Sequence, residues 1–432
     1  MRARRSAGAA KRGLTSHPLC GSVEEDHLFG WPGDTDAAPD EIQALLSIAA
    51  HFSVHTSFTM IPLSAPDLRG NEIAYLTRCV TDNWVSSAGP EVFAFEQMVA
   101  GIAGVAHGVA TVNGTAALHL ALIAAGVGAG DRVVVPDWTF AATANAVRHA
   151  GAQPVFVDVT RESWTLDPAL TLDVLSSARH GRIAAVIAVH ALGHPADMDP
   201  LREACAANGA ILIEDAAGAI GASYKGRPVG GLSDMAIFSF NGNKTVTAGG
   251  GGMVVTDNAD WAETAKARSV QARDGDAYRY TDVGFNYRLP NLNAALGLAQ
   301  LERLDEMVAA KRSIAAQYDQ ALADRDDLHL MPRQDWAHSA CWLYSVKCAT
   351  PDDAGALVAH LRSSGIEARV FWEALSTQTP YASEAVERTG VADSLSGTVV
   401  SLPSSSGLSE VDQDQVIKAL GGWRGRRVRM AA

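Results

Sequence analysis

The stretch IAAVIAVHALGHPADMDPLREACAANGAILIEDA, residues 183–216, holds two apolar, partly β-branched runs separated by one helical pattern. IAAVIAVH and AILIEDA have the length of buried strands, and MDPLREACAANG between them reads as a helix that stops at Gly209. Strand, crossover helix and second strand make a βαβ unit, whose strands run parallel with both faces covered. The same texture continues towards the N-terminus, where RVVVP (residues 132–136) and QPVFVDV (residues 153–159) flank ATANAVRHAG, a helix that also ends at a glycine. MAIFSF follows from Met235. These residues predict an α/β fold with a mostly parallel, doubly wound central sheet. Ligands in such sheets sit beyond the carboxyl ends of the strands, so the residues just after each run are the candidates for chemistry.

The chain has 432 residues, 47% of them hydrophobic and 19% charged, which suits a soluble globular protein with a large domain and a smaller companion. Residues 1–38, opening MRARRSAGAAKRG, read as a disordered basic extension without the apolar segment of an export signal. Residues 39–290 are expected to form the large domain; within it EIQALLSIAAHF reads as a short helix, and IPLSAPDLRGNE leads into another that begins near Asn71. The pattern NLNAALGLAQLERLDEMVAAKRSIAAQYDQALADR predicts one long linking helix over residues 291–327. Residues 328–425 read as a small α+β domain, with CWLYSVKC and IEARVF as strands and a last helix capped by Ser409. A net charge of −13 argues against nucleic acid and anionic lipid as partners, and no apolar run is long enough to cross a bilayer. Five cysteines without metal-ligand spacing give no disulfide framework and fit a reducing cytoplasm.

Asp215 closes AILIEDA, so its carboxylate stands at the ligand-binding edge, while Glu214 points to the other face. A buried carboxylate there needs a cationic or protonated partner, and no arginine or lysine adjoins it in sequence. A protonated heteroaromatic nitrogen meets that need; a helix cap or a surface position removes it. Lys244, in FNGNKTVTAGGGG, is the one cation of its stretch, with small neighbours that admit a bulky partner to its amine. A P-loop places its glycines before the lysine and Ser or Thr right after it, whereas here most of the glycine follows. VNGTAALHLAL offers Gly114 and Thr115 at the start of a helix, as a phosphate cup or as an ordinary start led by Asn113. PDWTFAATANA puts Trp138 and Phe140 at the same edge, either to stack on a planar ligand or to pack in the core. Ser239 adds a hydroxyl to a phosphate site or simply packs. His190 and His194 lack the glutamate and the helix of a metalloprotease site, so no metal is expected, and GVGAGD precedes a strand and reads as a turn.

Together these segments resemble the pyridoxal-phosphate enzymes of the aspartate aminotransferase fold, fold type I. More narrowly, NGTAALHLAL, PDWTFAATANA, IEDAAGAIG, FSFNGNKTVTAGGGG and GFNYRLPNLNAALG are similar to the DegT/DnrJ/StrS nucleotide-sugar aminotransferases, and IPLSAPDLRGNE, DNWVSSAG and ARVFWEAL to their LegC-type and bacillosamine-pathway members. The resemblance implies that Lys244 joins the aldehyde of pyridoxal 5'-phosphate as an imine and later shuttles a proton. It implies that Asp215 pairs with the pyridinium nitrogen, that Gly114, Thr115 and Ser239 hold the phosphate, and that Phe140, ahead of Trp138, stacks on the ring. Asn286 would reach the phosphate in a neighbouring subunit, making a homodimer with shared sites. The implied reaction is amination of a UDP-linked 4-keto-6-deoxy-N-acetylhexosamine with glutamate as donor; dTDP- or GDP-linked keto sugars are the alternative, and a non-catalytic cofactor-binding regulator is an alternative of another class. One departure stands out: many members carry His or Gln where this chain has Gly218.

Overall fold

A computed structural model describes residues 60–427 apart from 178, 276 and 277; the basic extension 1–38 and the helix read at EIQALLSIAAHF lie outside the described residues. In chain order the strands are β1 (His107–Thr111), β2 (Arg132–Pro136), β3 (Gln153–Val157), β4 (Ile183–Val189), β5 (Ile211–Asp215), β6 (Ser223–Tyr224), β7 (Arg227–Pro228), β8 (Met235–Ser239) and β9 (Gly252–Thr256). They continue with β10 (His329–Leu330), β11 (Ala337–His338), β12 (Tyr344–Lys347), β13 (Arg369–Phe371), β14 (Ala385–Glu387) and β15 (Val399–Leu402). The main sheet has eight strands in the order β1-β9-β8-β5-β4-β2-β3-β14, and only β9 runs against the others. The expected mostly parallel sheet is therefore present, with β5, the strand that ends in Asp215, near its middle.

Alternation along the strands sorts the core into two layers. Val133 and Val135 of β2, Phe156 of β3 and Ile187 of β4 pack with the helices Gly114–Ala124, Ala142–His149 and Ala259–Ser269. Val134, Val155 and Val186 face the other way, onto the helices Pro90–Ala103, Met198–Asn208 and Asn291–Leu301. In the helix Gly114–Ala124 the side chains of Leu118, Leu120 and Leu122 are all buried. Each contributes roughly 1.5–3 kcal/mol, which seats this helix firmly and fixes where its first turn opens. The helix Met198–Asn208 stops at Gly209, whose φ of +66° gives the left-handed cap expected of it.

The long helix expected over residues 291–327 is instead two, Asn291–Leu301 and Leu304–Leu322. At the joint Arg303 leaves helical geometry (φ −111°, ψ 14°). Its guanidinium forks onto Asp67, both contacts at 3.2 Å, and onto Glu306, while Glu302 accepts from Asn71 Nδ2 at 2.7 Å and from the Tyr75 hydroxyl. Tertiary partners of two adjacent charged residues thus break a periodicity that the leucines carry straight through.

Strands β10, β12, β15 and β13 form a second, four-stranded sheet, and the helix Glu410–Gly422 starts at Ser409, whose hydroxyl accepts from Asp412 N as the sequence predicts. β14, from the same C-terminal stretch, leaves that sheet to pair in parallel with β3. Asp158, just past β3, anchors the crossing: its carboxylate accepts from the backbone N–H groups of Thr389, Gly390, Val391 and Ala392 at 2.7–3.1 Å.

Candidate active site

Between β8 and β9 the chain makes a loop that carries Lys244. Phe240 N donates to Gly251 O at 2.8 Å and Ala248 N to Phe240 O at 2.9 Å, closing the base. The tip is held through one carbonyl, Asn243 O, which accepts from Ser64 Oγ at 2.9 Å and Trp342 Nε1 at 2.8 Å. Asn293 Nδ2 donates to Ala248 O at 2.7 Å and steadies the glycine run. Those glycines serve the chain as well as any ligand: a Cβ at Gly252 would lie 2.4 Å from Asn113 O, and Gly249 holds φ +73°.

The Lys244 amine lies 3.5 Å from the centroid of the Trp342 ring. Burial pulls it from the ordinary 10.5 down to about 8, and the Asp215 carboxylate pushes the other way, so the two groups share one electrostatic neighbourhood. A cation–π contact favours the charged form by ~0.5–2 kcal/mol. The downward shift corresponds to roughly 3 kcal/mol, so the amine stays easy to deprotonate.

Asp215 is buried at the end of β5, where Oδ2 accepts from Thr143 Oγ1 at 2.8 Å and Oδ1 from Ala217 N at 3.2 Å. Among the described residues it forms no ion pair. Glu214 points to the other face, as expected, and is fully used there: it accepts from Gly230 N, Leu232 N and Ser233 Oγ at 2.8–2.9 Å. His190 Nδ1 accepts from Ala196 N at 3.0 Å, so Nε2 carries the proton and donates to Glu214, also at 3.0 Å. His194 is tied to Pro195 O and Gln334 N, and burial holds it down to about 4. Among the described residues no group of three His, Cys, Asp or Glu side chains could hold a metal ion.

Gly114 and Ser239 come together, since a Cβ at Gly114 would lie 2.9 Å from the Ser239 Cβ. Asn113 does cap this helix, its Oδ1 accepting from Ala116 N at 2.8 Å and its carbonyl from Ala117 N at 3.1 Å. The N–H groups of Gly114 and Thr115 keep no acceptor among the described residues, so the Asn113 cap leaves them free to meet an anion. Trp138 is core: it is fully buried, donates Nε1 to Trp372 O at 3.2 Å and packs edge-on against Trp164. Phe140 is left 61% exposed. Asn286, in a segment whose Tyr287 O accepts from Val112 N at 2.8 Å, is exposed and bonds to none of the other candidates.

Several residues that shape the site were not evident in the sequence. Thr143 lay inside a quoted strand-end motif and was open to the same reasoning as Phe140. Trp342 and Asn293 come from distant segments, and no local pattern links them to Lys244.

The residues fit a planar, anionic cofactor. Among the described residues, Thr245, next to Lys244, has a buried hydroxyl without a partner and the Asp215 carboxylate has no ion-pair partner, while Phe140, just past β2, leaves its ring exposed. Helix-start N–H groups, a buried carboxylate without an ion-pair partner among the described residues and a lysine of lowered basicity are the features that a phosphorylated aldehyde cofactor would require of a protein. The profile of the DegT/DnrJ/EryC1/StrS aminotransferase family matches residues 66–421, and the chain belongs to that family. It is similar to the GDP-perosamine synthase of Caulobacter vibrioides, 40% identical over 83% of this chain and 97% of the relative. The putative pyridoxal phosphate-dependent aminotransferase EpsN of Bacillus subtilis is 38% identical over 83% of this chain and 95% of its own. Among solved structures, a DegT DnrJ EryC1 StrS aminotransferase from Brucella abortus superposes with a TM-score of 0.77 at 31% identity, covering 82% of this chain and 96% of that one. The protein is thus a pyridoxal-phosphate-dependent sugar aminotransferase of fold type I.

Proposed function

We propose that the protein aminates a nucleotide-linked 4-keto-6-deoxy sugar to the 4-amino sugar, taking the amine from an amino acid, glutamate being the first candidate. The observation that supports this reading is the shared neighbourhood of the Lys244 amine, lowered in basicity by burial, and the buried strand-end carboxylate of Asp215 that acts on it. Gly114, Thr115 and Ser239 would hold the cofactor phosphate, Phe140 would cover a face of the ring, and Asp215 would keep the ring nitrogen protonated. When bound, pyridoxal phosphate supplies the electron-accepting ring that stabilises negative charge at the reacting carbon. Lys244 Nζ, whose basicity burial lowers, would be the group that takes a proton from that carbon or returns it.

On the nucleotide, the motifs favour UDP, whereas the name of the Caulobacter relative, a GDP-perosamine synthase, weighs for GDP. We put a GDP-linked keto sugar beside the UDP-linked one for that reason. A second copy of the chain is part of the proposal. Tyr278 and Val283, near Asn286, are 86% and 74% exposed, and such an apolar surface beside a candidate phosphate ligand suits a covering subunit.

The test is mass spectrometry of purified enzyme with glutamate and a panel of UDP-, GDP- and dTDP-linked keto sugars. One or more are expected to gain an amine, and Lys244→Ala to lose both this activity and borohydride trapping of the cofactor. Trapping without amination of any sugar would favour the non-catalytic binder.

A further inference from the structure

The indole of Trp342 occupies a seat that the rest of the chain keeps clear. A Cβ at Gly218 would lie 2.5 Å from its ring, and one at Gly193, where φ is +95°, would lie 2.8 Å from its backbone nitrogen. In the segment before it, Ser339 Oγ and Ala340 N donate to Gly193 O at 2.9 and 3.0 Å, and Cys341 turns the chain with φ +50°. On its own carbonyl, Lys311 Nζ donates to Trp342 O at 3.1 Å. On the indole, Nε1 donates to Asn243 O at 2.8 Å, and the ring meets Lys244 Nζ at 3.5 Å. A tryptophan serving only as core filler requires neither two close-packed glycines nor a non-glycine residue at positive φ.

We propose that Trp342 is a positioning residue for Lys244, its indole filling the space that a side chain at position 218 would take, shielding one side of the half-buried lysine's ε-amine from water and fixing its direction at the cofactor site. This rests on Lys244 being the reactive amine. It also accounts for Gly218: no larger residue fits there while the indole stays in place. Of the titratable groups nearby, Asp215 acts on the Lys244 amine, and Lys311 touches Trp342 only through the backbone carbonyl. The ring's quadrupole favours the ammonium, and burial opposes it by lowering the basicity of the amine.

Competitive acylation of the cofactor-free protein across pH, with Lys244 followed by peptide mass spectrometry, reads this amine without any turnover. The wild type is expected to titrate near pH 8. Trp342→Ala should move the midpoint up by roughly one unit or more. Gly218→Gln, which pushes the indole aside while Trp342 is still present, should move it in the same direction, so the test survives if Trp342→Ala does not fold. Unchanged midpoints in folded variants, with near-UV circular dichroism showing the indole displaced or gone, overturn the proposal. Borohydride trapping on a lysine other than Lys244 would instead sink the functional reading while leaving these midpoints as they are, so the two failures are distinguishable.

Discussion

The Asp215 carboxylate acts on the Lys244 amine before either meets a ligand, and the direction of that influence can be measured. Asp215→Asn keeps the shape and the bond from Thr143 but removes the charge that would hold a ring nitrogen protonated. Amination is expected to fall roughly 100- to 1000-fold, with the fold intact by circular dichroism. Lys311 tests the energetics of burying a lysine. Its amine donates to Trp342 O at 3.1 Å and to Ser404 O at 2.5 Å, and burial brings it to about 7. The folded value lies below the ordinary 10.5, so the unfolded chain binds more protons in between; the cost of burying the charge is present in full below pH 7 and is relieved as pH rises towards 10.5. Melting temperature should therefore rise with pH over that window, and Lys311→Met should flatten the rise while losing about 1 kcal/mol for each carbonyl left unpaired. Asp215, Lys244 and Gly114 were legible in the sequence because each follows an apolar run or opens a helix. The contacts of Trp342 were not, because they arise only where three distant segments meet.

Elements act here by where their ends fall. β5 delivers Asp215, the β8–β9 loop delivers Lys244, and the first turn of the helix Gly114–Ala124 opens beside Ser239. Gly114→Ala places a methyl group against Ser239 at 2.9 Å, within the proposed phosphate cup. Cofactor affinity is expected to drop roughly tenfold or more, and the cofactor-free protein to lose about 1–3 kcal/mol as Ser239 gives way; equilibrium dialysis against pyridoxal phosphate checks the first and thermal melting the second. Strands β2, β4, β5 and β8 were readable because parallel strands covered on both faces are continuous apolar runs. The break at Glu302 and Arg303 was not, since helical periodicity records which face is buried and carries no sign of the partners waiting on Asp67, Asn71 and Tyr75.

For the molecule as a whole, the proposal of a shared site predicts complementation. If Asn286 serves the neighbouring subunit, Asn286→Ala and Lys244→Ala fail separately, and co-expressed chains recover activity, because half of the mixed dimers' sites escape both changes. Random pairing gives roughly a quarter of wild-type activity; no recovery in isolated mixed dimers means that each subunit works alone. This level was the least legible in the sequence: GFNYR marked Asn286 only through a resemblance, and exposure of Tyr278 and Val283 needed coordinates.

The pairing of β14 with β3 has a consequence for how the chain is made. Val155 receives its edge partner from Ala385, so a ribosome must add some 230 further residues (385 − 155) after β3 before the sheet can be sealed on that side. Until then the nascent protein carries an uncovered, almost wholly apolar strand margin, the kind of surface that recruits chaperones or neighbouring polysomal chains. Stalled or prematurely stopped translation products of this enzyme are accordingly the species most exposed to clumping, however robust the finished sheet.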